Sequence, residues 1–455
     1  MKTIKNIFLL PLFIIAFFSC EKKESIVQEE VVEILPENRL PQVAIHTNGT
    51  QIVDEPKIDA QMTITVNDMI DYEGAIGIEI RGSSSQFFPK KQFGFETRDA
   101  ANEDINVSLL GFPEEEDWIL YAPYSDKSLI RNMLIYDLSR EIGRYASRAK
   151  FVEVTINGWY NGVYVLMEKL KRDNNRIDIN KLKVDENSGE DLTGGYILKI
   201  DKAGGSNELL YTSVNSITSA YNPNHANSGQ KIHFLYDTPD EEDITTEQKT
   251  YISNYLASFE NALASTDFTN PTTGYAAYID TQSFIEFFLL NELSNNVDGY
   301  RLSTWLTKDK NEKLKMGPIW DFNLAFGNAD YCSGGATNVW AYKFNERCPQ
   351  DFWQIPFWWE RLLEDPAFVS QLKSRWTELR SSTFSNTAIL EKINSYIETL
   401  TSFGGIQENF DKWRILGQYV WPNNFVGNTY AEERNYLVNW INDRLSWLDT
   451  EISRL

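Results

Sequence analysis

Part-way along the chain the spacing of the apolar residues changes, and that change limits the fold more than any other feature. From Pro41 to Glu96 apolar residues alternate or come in short bursts: Val43 to Ile45, Met62 to Val66, Ile76 to Ile80, then Phe93 and Phe95. A spacing of two puts successive side chains on opposite faces, so this is strand-rich sequence. Trp118 to Tyr121 reads as a further strand. Asp126 then stands as the N-cap of a helix carrying Ile130, Leu134 and Leu138 and ending at Gly143. Phe151 to Ile156 and Val163 to Met167 flank Asn157-Gly158, a pair that takes the left-handed angles of a tight turn and so predicts a hairpin.

Beyond Glu168 the pattern shifts. Gly195 to Asp201 is one more strand, and Ala203 to Gln230 is polar, rich in Asn and Ser, and reads as an insertion or mobile loop. From Thr245 helical spacing dominates, through Ile252, Leu256 and Leu263, then Phe284, Phe287, Phe288 and Leu290. Asp365-Pro366 opens a helix through Val369, Leu372, Trp376 and Leu379, and Leu437, Ile441, Leu445, Leu448 and Ile452 stripe the last one. These stripes predict core faces. Trp353, Trp358 and Trp359 stand close together and suit either core packing or a glycan- or partner-binding surface. Strands first and helices later predict an α+β chain, and its length predicts two lobes or domains.

The first twenty residues read as a targeting signal. Lys2 and Lys5 precede an apolar run from Ile7 to Phe18, too short to stay in a bilayer, which ends in Ser19 and Cys20. A small residue before a cysteine at that point predicts cleavage and acylation at Cys20, and hence a lipid anchor in a bacterial cell envelope. Glu21 to Pro41 is charged and lacks an apolar period, as a flexible tether does. In an exported chain Cys332 and Cys348 predict a disulfide. The net charge of −22, from 65 acidic and 43 basic residues without a basic block, argues against nucleic acid and anionic lipid as partners.

The most informative stretches are Asn295-Asn296-Val297-Asp298-Gly299-Tyr300-Arg301-Leu302-Ser303 and Gly317-Pro318-Ile319-Trp320-Asp321-Phe322-Asn323. Between the two aspartates lie a strand from Leu302 to Thr307, a turn from Lys308 to Asn311 and a second strand, a hairpin able to return Asp321 beside Asp298. Phosphoryl transfer needs one carboxylate to receive the proton of the attacking hydroxyl and another to hold the metal that bridges the phosphates.

With these motifs the sequence resembles the spore-coat protein H (CotH) family of atypical, secretory-type protein kinases, from about residue 40 to about residue 330. The matching pieces run in order: Arg81-Gly82-Ser83-Ser84 with Pro89-Lys90-Lys91; Trp118-Ile119-Leu120 with Asp126-Lys127-Ser128 and Arg131-Asn132; and Asn157-Gly158 with Gly162-Val163-Tyr164 and Glu168. Gly194-Gly195-Tyr196, Asn296-Val297-Asp298 and Trp320-Asp321-Phe322 complete the set.

The resemblance implies a divergent, two-lobed protein-kinase-like fold. Its parts are a lipoprotein signal at 1–20, a tether at 21–40, a β-rich nucleotide-binding lobe at 41–167, and a larger, mainly helical catalytic lobe at 168–455 with a C-terminal helical extension. It implies an ATP- and Mg²⁺- or Mn²⁺-dependent kinase acting on a Ser/Thr hydroxyl of an extracytoplasmic protein, with Asp298 as catalytic carboxylate and Asp321 as metal ligand. Asn323 stands where the family usually has aspartate, and an amide oxygen binds the metal more weakly. Ser303 lies where ordinary kinases place a metal-binding asparagine. Lys90 or Lys91 would neutralise the phosphates, Lys91 being favoured because it shares a strand face with Phe93 and Phe95. Arg81, Ser83 and Ser84 would cover the phosphates, and Met167 and Glu168 resemble the hinge that binds adenine. The alternative of another class is a kinase-shaped surface protein that binds a glycan or protein without catalysis.

Overall fold

Seven strands form a closed barrel in the N-terminal part of this computed structural model, which describes residues 40–204, 210–227, 229–402 and 404–455. The expected signal with Cys20, and the tether up to residue 39, lie outside the described residues. The strands are β1 (Gln42–His46), β2 (Ile58–Val66), β3 (Met69–Arg81), β4 (Gln92–Arg98), β5 (Asp117–Tyr121), β6 (Ala149–Ile156) and β7 (Trp159–Glu168). They follow the order β1-β2-β3-β4-β5-β7-β6, antiparallel throughout except where β6 returns parallel to β1, pairing Gln42 with Glu153 and Ile45 with Ile156. Closure leaves the barrel without a free sheet edge.

The alternation seen in the sequence becomes the barrel's inside and outside. Ile45, Ile64, Ile76, Ile78, Phe95, Trp118, Leu120, Val152, Val154, Tyr164 and Leu166 form one buried cluster that fills the barrel. On the opposite faces of β5, β6 and β7, Ile119, Tyr121, Phe151, Val163, Val165 and Met167 join a second, larger core shared with the helices. Two-sided burial is why Trp118–Tyr121 and Val163–Met167 are unbroken apolar runs. Helix α1 (Arg131–Glu141) sits between β5 and β6 in the chain. It begins later than the sequence predicts. Asp126 reaches its first turn from outside, its carboxylate accepting from Arg131 N at 3.0 Å and from Ser128 Oγ at 2.6 Å.

The second sheet has the order β12-β11-β8-β10-β9, with β8 (Tyr196–Ile200), β9 (Ser216–Thr218), β10 (His233–Thr238), β11 (Thr304–Lys308) and β12 (Leu314–Ile319), all antiparallel. The polar stretch expected to be an insertion thus supplies β9. Helix α2 (Thr246–Ala264) opens with a capping box between Thr245 and Gln248. Helix α3 (Thr281–Ser294) is buried on every side from Ser283 on, which fits its apolar sequence all round. Among the described residues six more helices follow: α4 (Phe344–Arg347), α5 (Trp358–Leu363), α6 (Pro366–Arg380), α7 (Asn386–Thr401), α8 (Gly405–Lys412) and α9 (Tyr430–Arg454). The predicted stripe of α9 is buried, and Asp365 caps α6 by accepting from Ala367 N at 2.8 Å. Among the described residues no helix is long and apolar enough to cross a membrane. The chain is therefore mixed α+β, with a closed barrel.

Helix α8 is stapled to the barrel. Asn409 Oδ1 accepts from Val163 N at 3.1 Å and from Lys90 Nζ at 2.9 Å, while the same amine donates to Val163 O at 2.5 Å. Gly162, at φ 105°, lets this happen, since a Cβ there would lie 2.7 Å from Asn409 Oδ1.

Candidate active site

Asp298 and Asp321 line one cavity of about 420 Å³. Asp298 follows the C-terminus of α3, where Asn295 turns the chain at φ 43° and donates through Nδ2 to Ser333 O and Ala336 O, each at 3.0 Å. Those carbonyls lie in the loop closed by the Cys332–Cys348 disulfide, which has formed as the two cysteines predicted. Arg301 Nη2 donates to Asp298 Oδ1 at 2.8 Å and its Nη1 reaches Asp351 Oδ1 at 3.2 Å, while the Tyr331 hydroxyl donates to the same Asp298 oxygen at 3.4 Å. Both partners fall on Oδ1, and among the described residues no hydrogen bond to Oδ2 is seen. Behind the loop Tyr300, at φ 70°, is locked by its hydroxyl donating to Glu292 Oε1 at 3.0 Å, and Glu292 is in turn paired with the buried Arg444 at 3.2 Å. A bulky residue in left-handed backbone costs about 1–3 kcal/mol, and buried partners of this kind hold it there.

The hairpin β11–β12 carries the chain back to Asp321, which also sits in left-handed backbone at φ 60°. Helix α1 cradles that turn: Tyr136 OH accepts from Asp321 N at 3.2 Å and Asn132 Oδ1 from Phe322 N at 2.9 Å. Arg131 secures the next residues by donating to Ala325 O at 3.1 Å. Burial, followed by the nearby Asp298 carboxylate, lifts the Asp321 carboxyl to about 6, although Arg81 and Lys202 pull the other way and Asp201 adds to the rise.

Asp201 and Lys202 follow β8 and also line the cavity. The backbone amides of Lys202, at 2.9 Å, and Ser303 donate to the Asp201 carboxylate, and burial pushes its pKa upward. Lys202 Nζ reaches Ser83 Oγ at 3.4 Å, and Lys199, two residues before Asp201, also lines the cavity. Burial lowers the pKa of Arg81, with Asp321 the main opposing influence, and its guanidinium lies 5.8 Å from the Trp320 ring. Sequence reasoning missed Asp201, Lys202 and Tyr136, and it marked Asn132 only within the Arg131-Asn132 motif, without its bond to Phe322 N. A signal existed for the first two: an Asp-Lys pair closes an apolar strand just before Ala203-Gly204, the same strand-end placement that singled out Asp321.

Of the residues the sequence predicts, the structure brings together Arg81, Ser83, Ser84, Met167, Asp298, Ser303, Asp321 and Asn323 around the cavity. Lys90 and Lys91 are not among its lining residues. Lys90 is 1% exposed and holds the barrel to α8, and burial pushes its pKa well down. Lys91 donates to Gln86 O at 2.5 Å. Strand β4 starts only at Gln92, so the alternation that would have turned Lys91 inward does not extend to it. Glu168 is taken as well: its carboxylate accepts from Arg148 Nη2 at 2.6 Å and Tyr145 OH at 3.1 Å. Strand β7 is paired on both edges, with β5 and with β6, and Glu168 O accepts from Ser147 Oγ at 2.9 Å, so a base finds no open backbone edge there. Trp358 and Trp359 are core residues, 0% and 2% exposed.

The donor set suits a hard divalent cation: the carboxylates of Asp321 and Asp201, the Asn323 amide and the Ser303 hydroxyl offer oxygen, and among the described residues no cysteine or histidine lines the cavity. Arg81, Lys199 and Lys202 line the same cavity, Lys199 being paired with Asp237 at 3.2 Å. Residues 78–448 match the family model described as CotH kinase protein. No curated protein matches the chain.

Proposed function

The chain belongs to the CotH kinase protein family, and from that premise we propose that it transfers the γ-phosphate of ATP to a serine or threonine hydroxyl of a protein outside the cytoplasm. The observation that carries this reading is the meeting of Asp298 and Asp321 in one cavity at the two ends of the β11–β12 hairpin. That arrangement, with a β-rich part before it and helices around and after it, supports the two-lobed kinase-like reading of the fold. Lipidation at Cys20 would hold the protein at the bacterial envelope.

In this mechanism the acceptor oxygen attacks the γ-phosphorus as the bond from that phosphorus to its bridging oxygen breaks, and ADP leaves. The acceptor's proton passes to Asp298, whose orientation Arg301 and Tyr331 fix through Oδ1. Arg81 and Lys202, rather than Lys90 or Lys91, offset charge on the phosphates, and the serines at 83 and 84 close over them. Asp321, aided by Asp201 and Asn323, would hold Mg²⁺ or Mn²⁺, which would supply positive charge to offset that of the phosphates.

The test is transfer of labelled γ-phosphate from ATP, with Mg²⁺ or Mn²⁺, by protein lacking residues 1–20. Label should enter the protein itself or a generic acceptor, and Asp298→Asn should cut kcat by about 10²–10⁴ without a comparable change in ATP affinity. Transfer that survives in Asp298→Asn rejects the assignment.

A further inference from the structure

Trp421 is a large apolar ring left 50% exposed at the rim of the catalytic cavity. It is not on a loose loop. Asp330 N donates to Pro422 O at 2.9 Å, and Asn423 Nδ2 donates to Ser125 O at 2.7 Å and to Asn328 Oδ1 at 3.0 Å. The backbone beside the ring is clamped to Ser125, which lines the cavity, and to Asn328, while the ring itself stays half-exposed. Leaving an indole face in water forgoes the gain of burying it, so a rigid exposed ring at a reaction site suits a contact made only when substrate arrives.

Its position says which substrate. The indole lies parallel to Tyr331, with 6.4 Å between centroids and 1° between planes, and the Tyr331 hydroxyl donates to Asp298. Trp421 therefore lies on the same cavity as Asp298 and is linked to it through Tyr331, whereas Arg81 and Lys202 act on Asp321, the side of the phosphates in the phosphotransfer reading. Carboxylates near the ring already have partners: Asp298 has Arg301, and Asp330 Oδ2 accepts from Tyr419 OH at 2.7 Å. Recognition there rests on the ring face rather than on an unpaired charge.

We propose that Trp421 is a specificity-determining platform for the acceptor: it stacks against a flat, uncharged side chain, aromatic or proline, next to the phosphorylated serine or threonine of a polypeptide. The proposal rests on the phosphotransfer reading above.

The experiment compares protein lacking residues 1–20 with Trp421→Ala and Trp421→Phe, using peptides whose hydroxyl residue is flanked by tyrosine, proline or alanine. The wild-type protein should favour the tyrosine- and proline-flanked peptides by about three- to tenfold in kcat/KM, the range that ring stacking supplies. Trp421→Ala should erase the preference by raising the peptide KM, with the KM for ATP and the Tm unchanged, and Trp421→Phe should restore most of it. A rise in the KM for ATP instead makes the ring a nucleotide platform and overturns the proposal, as does a preference that survives Trp421→Ala. Fluorescence anisotropy of the same labelled peptides, without ATP, separates the two readings. Binding that prefers flat flanks and is lost in Trp421→Ala sustains the platform even if no phosphate is transferred; equal binding by both proteins rejects it.

Discussion

Replacing Asp321 by asparagine should make the protein more stable at neutral pH while abolishing transfer. The folded protein raises this carboxyl from 3.8 to about 6, chiefly by burial and by the neighbouring Asp298 carboxylate. A group whose pKa is higher in the folded state binds its proton more tightly there. Its contribution to stability is complete below pH 3.8 and is lost as pH rises through about 6. The gap converts to about 3 kcal/mol, and water in the cavity trims this to about 2. Asparagine has no charge to desolvate and adopts left-handed backbone as readily as aspartate, so the turn at φ 60° and its amide bond to Tyr136 survive. Alanine would add backbone strain to the comparison. For a chain of this length, a gain of about 2 kcal/mol raises Tm by about 2 °C. The assay is thermal denaturation of both proteins in EDTA from pH 4.5 to 8. The Tm difference should grow through the window from pH 4.5 to 6.5 and then level off. A difference independent of pH, or a less stable variant at pH 7.5, would refute the account of Asp321 as a carboxylate held in a desolvated, negative setting.

Two substitutions separate the cations. Arg81→Met should raise the KM for ATP by about tenfold with little change in Tm, whereas Lys90→Met should leave that KM alone and cost about 1–3 kcal/mol of stability by stranding Val163 O, read by denaturant titration. Replacing Cys332 and Cys348 together by serine should lower stability by about 3 kcal/mol, the loop-closure value for a 16-residue separation. It should also reduce kcat more than it changes the KM for ATP, because Asn295 anchors the Asp298 loop to that segment.

Much of the site was readable where the deciding forces are local. Asn157 and Gly158 take φ of 51° and 79°, the mirror-image turn their identities predicted, and the hairpin between Asp298 and Asp321 lies within two residues of its expected strands. The roles of Lys90 and Glu168 were not readable, because they depend on partners distant in the chain. Lys90 binds Asn409, 319 residues on, and Glu168 is claimed by Arg148 across the β6–β7 hairpin. Barrel closure was hidden for the same reason: alternation tells which side chains point inward but not that β6 returns to β1. Asp201 escaped notice because its neighbour in the cavity, Ser303, is brought to it by pairing of β8 with β11.

Closure of the barrel also dictates an order of assembly. Strand β1 has one neighbour almost at once, but its other edge waits for β6, since Gln42 and Glu153 lie 111 residues apart. A chain emerging N-terminus first therefore shows an unsatisfied strand edge through most of the barrel's synthesis. Asn409, which ties Lys90 and Val163 to α8, arrives later still. Until then the buried amine of Lys90 has Val163 O as its hydrogen-bond partner and lacks its second, Asn409 Oδ1. The barrel side of the site is thus finished from the far end of the chain, and a product cut short before α8 carries both aspartates without the brace that Asn409 supplies to Lys90 and Val163.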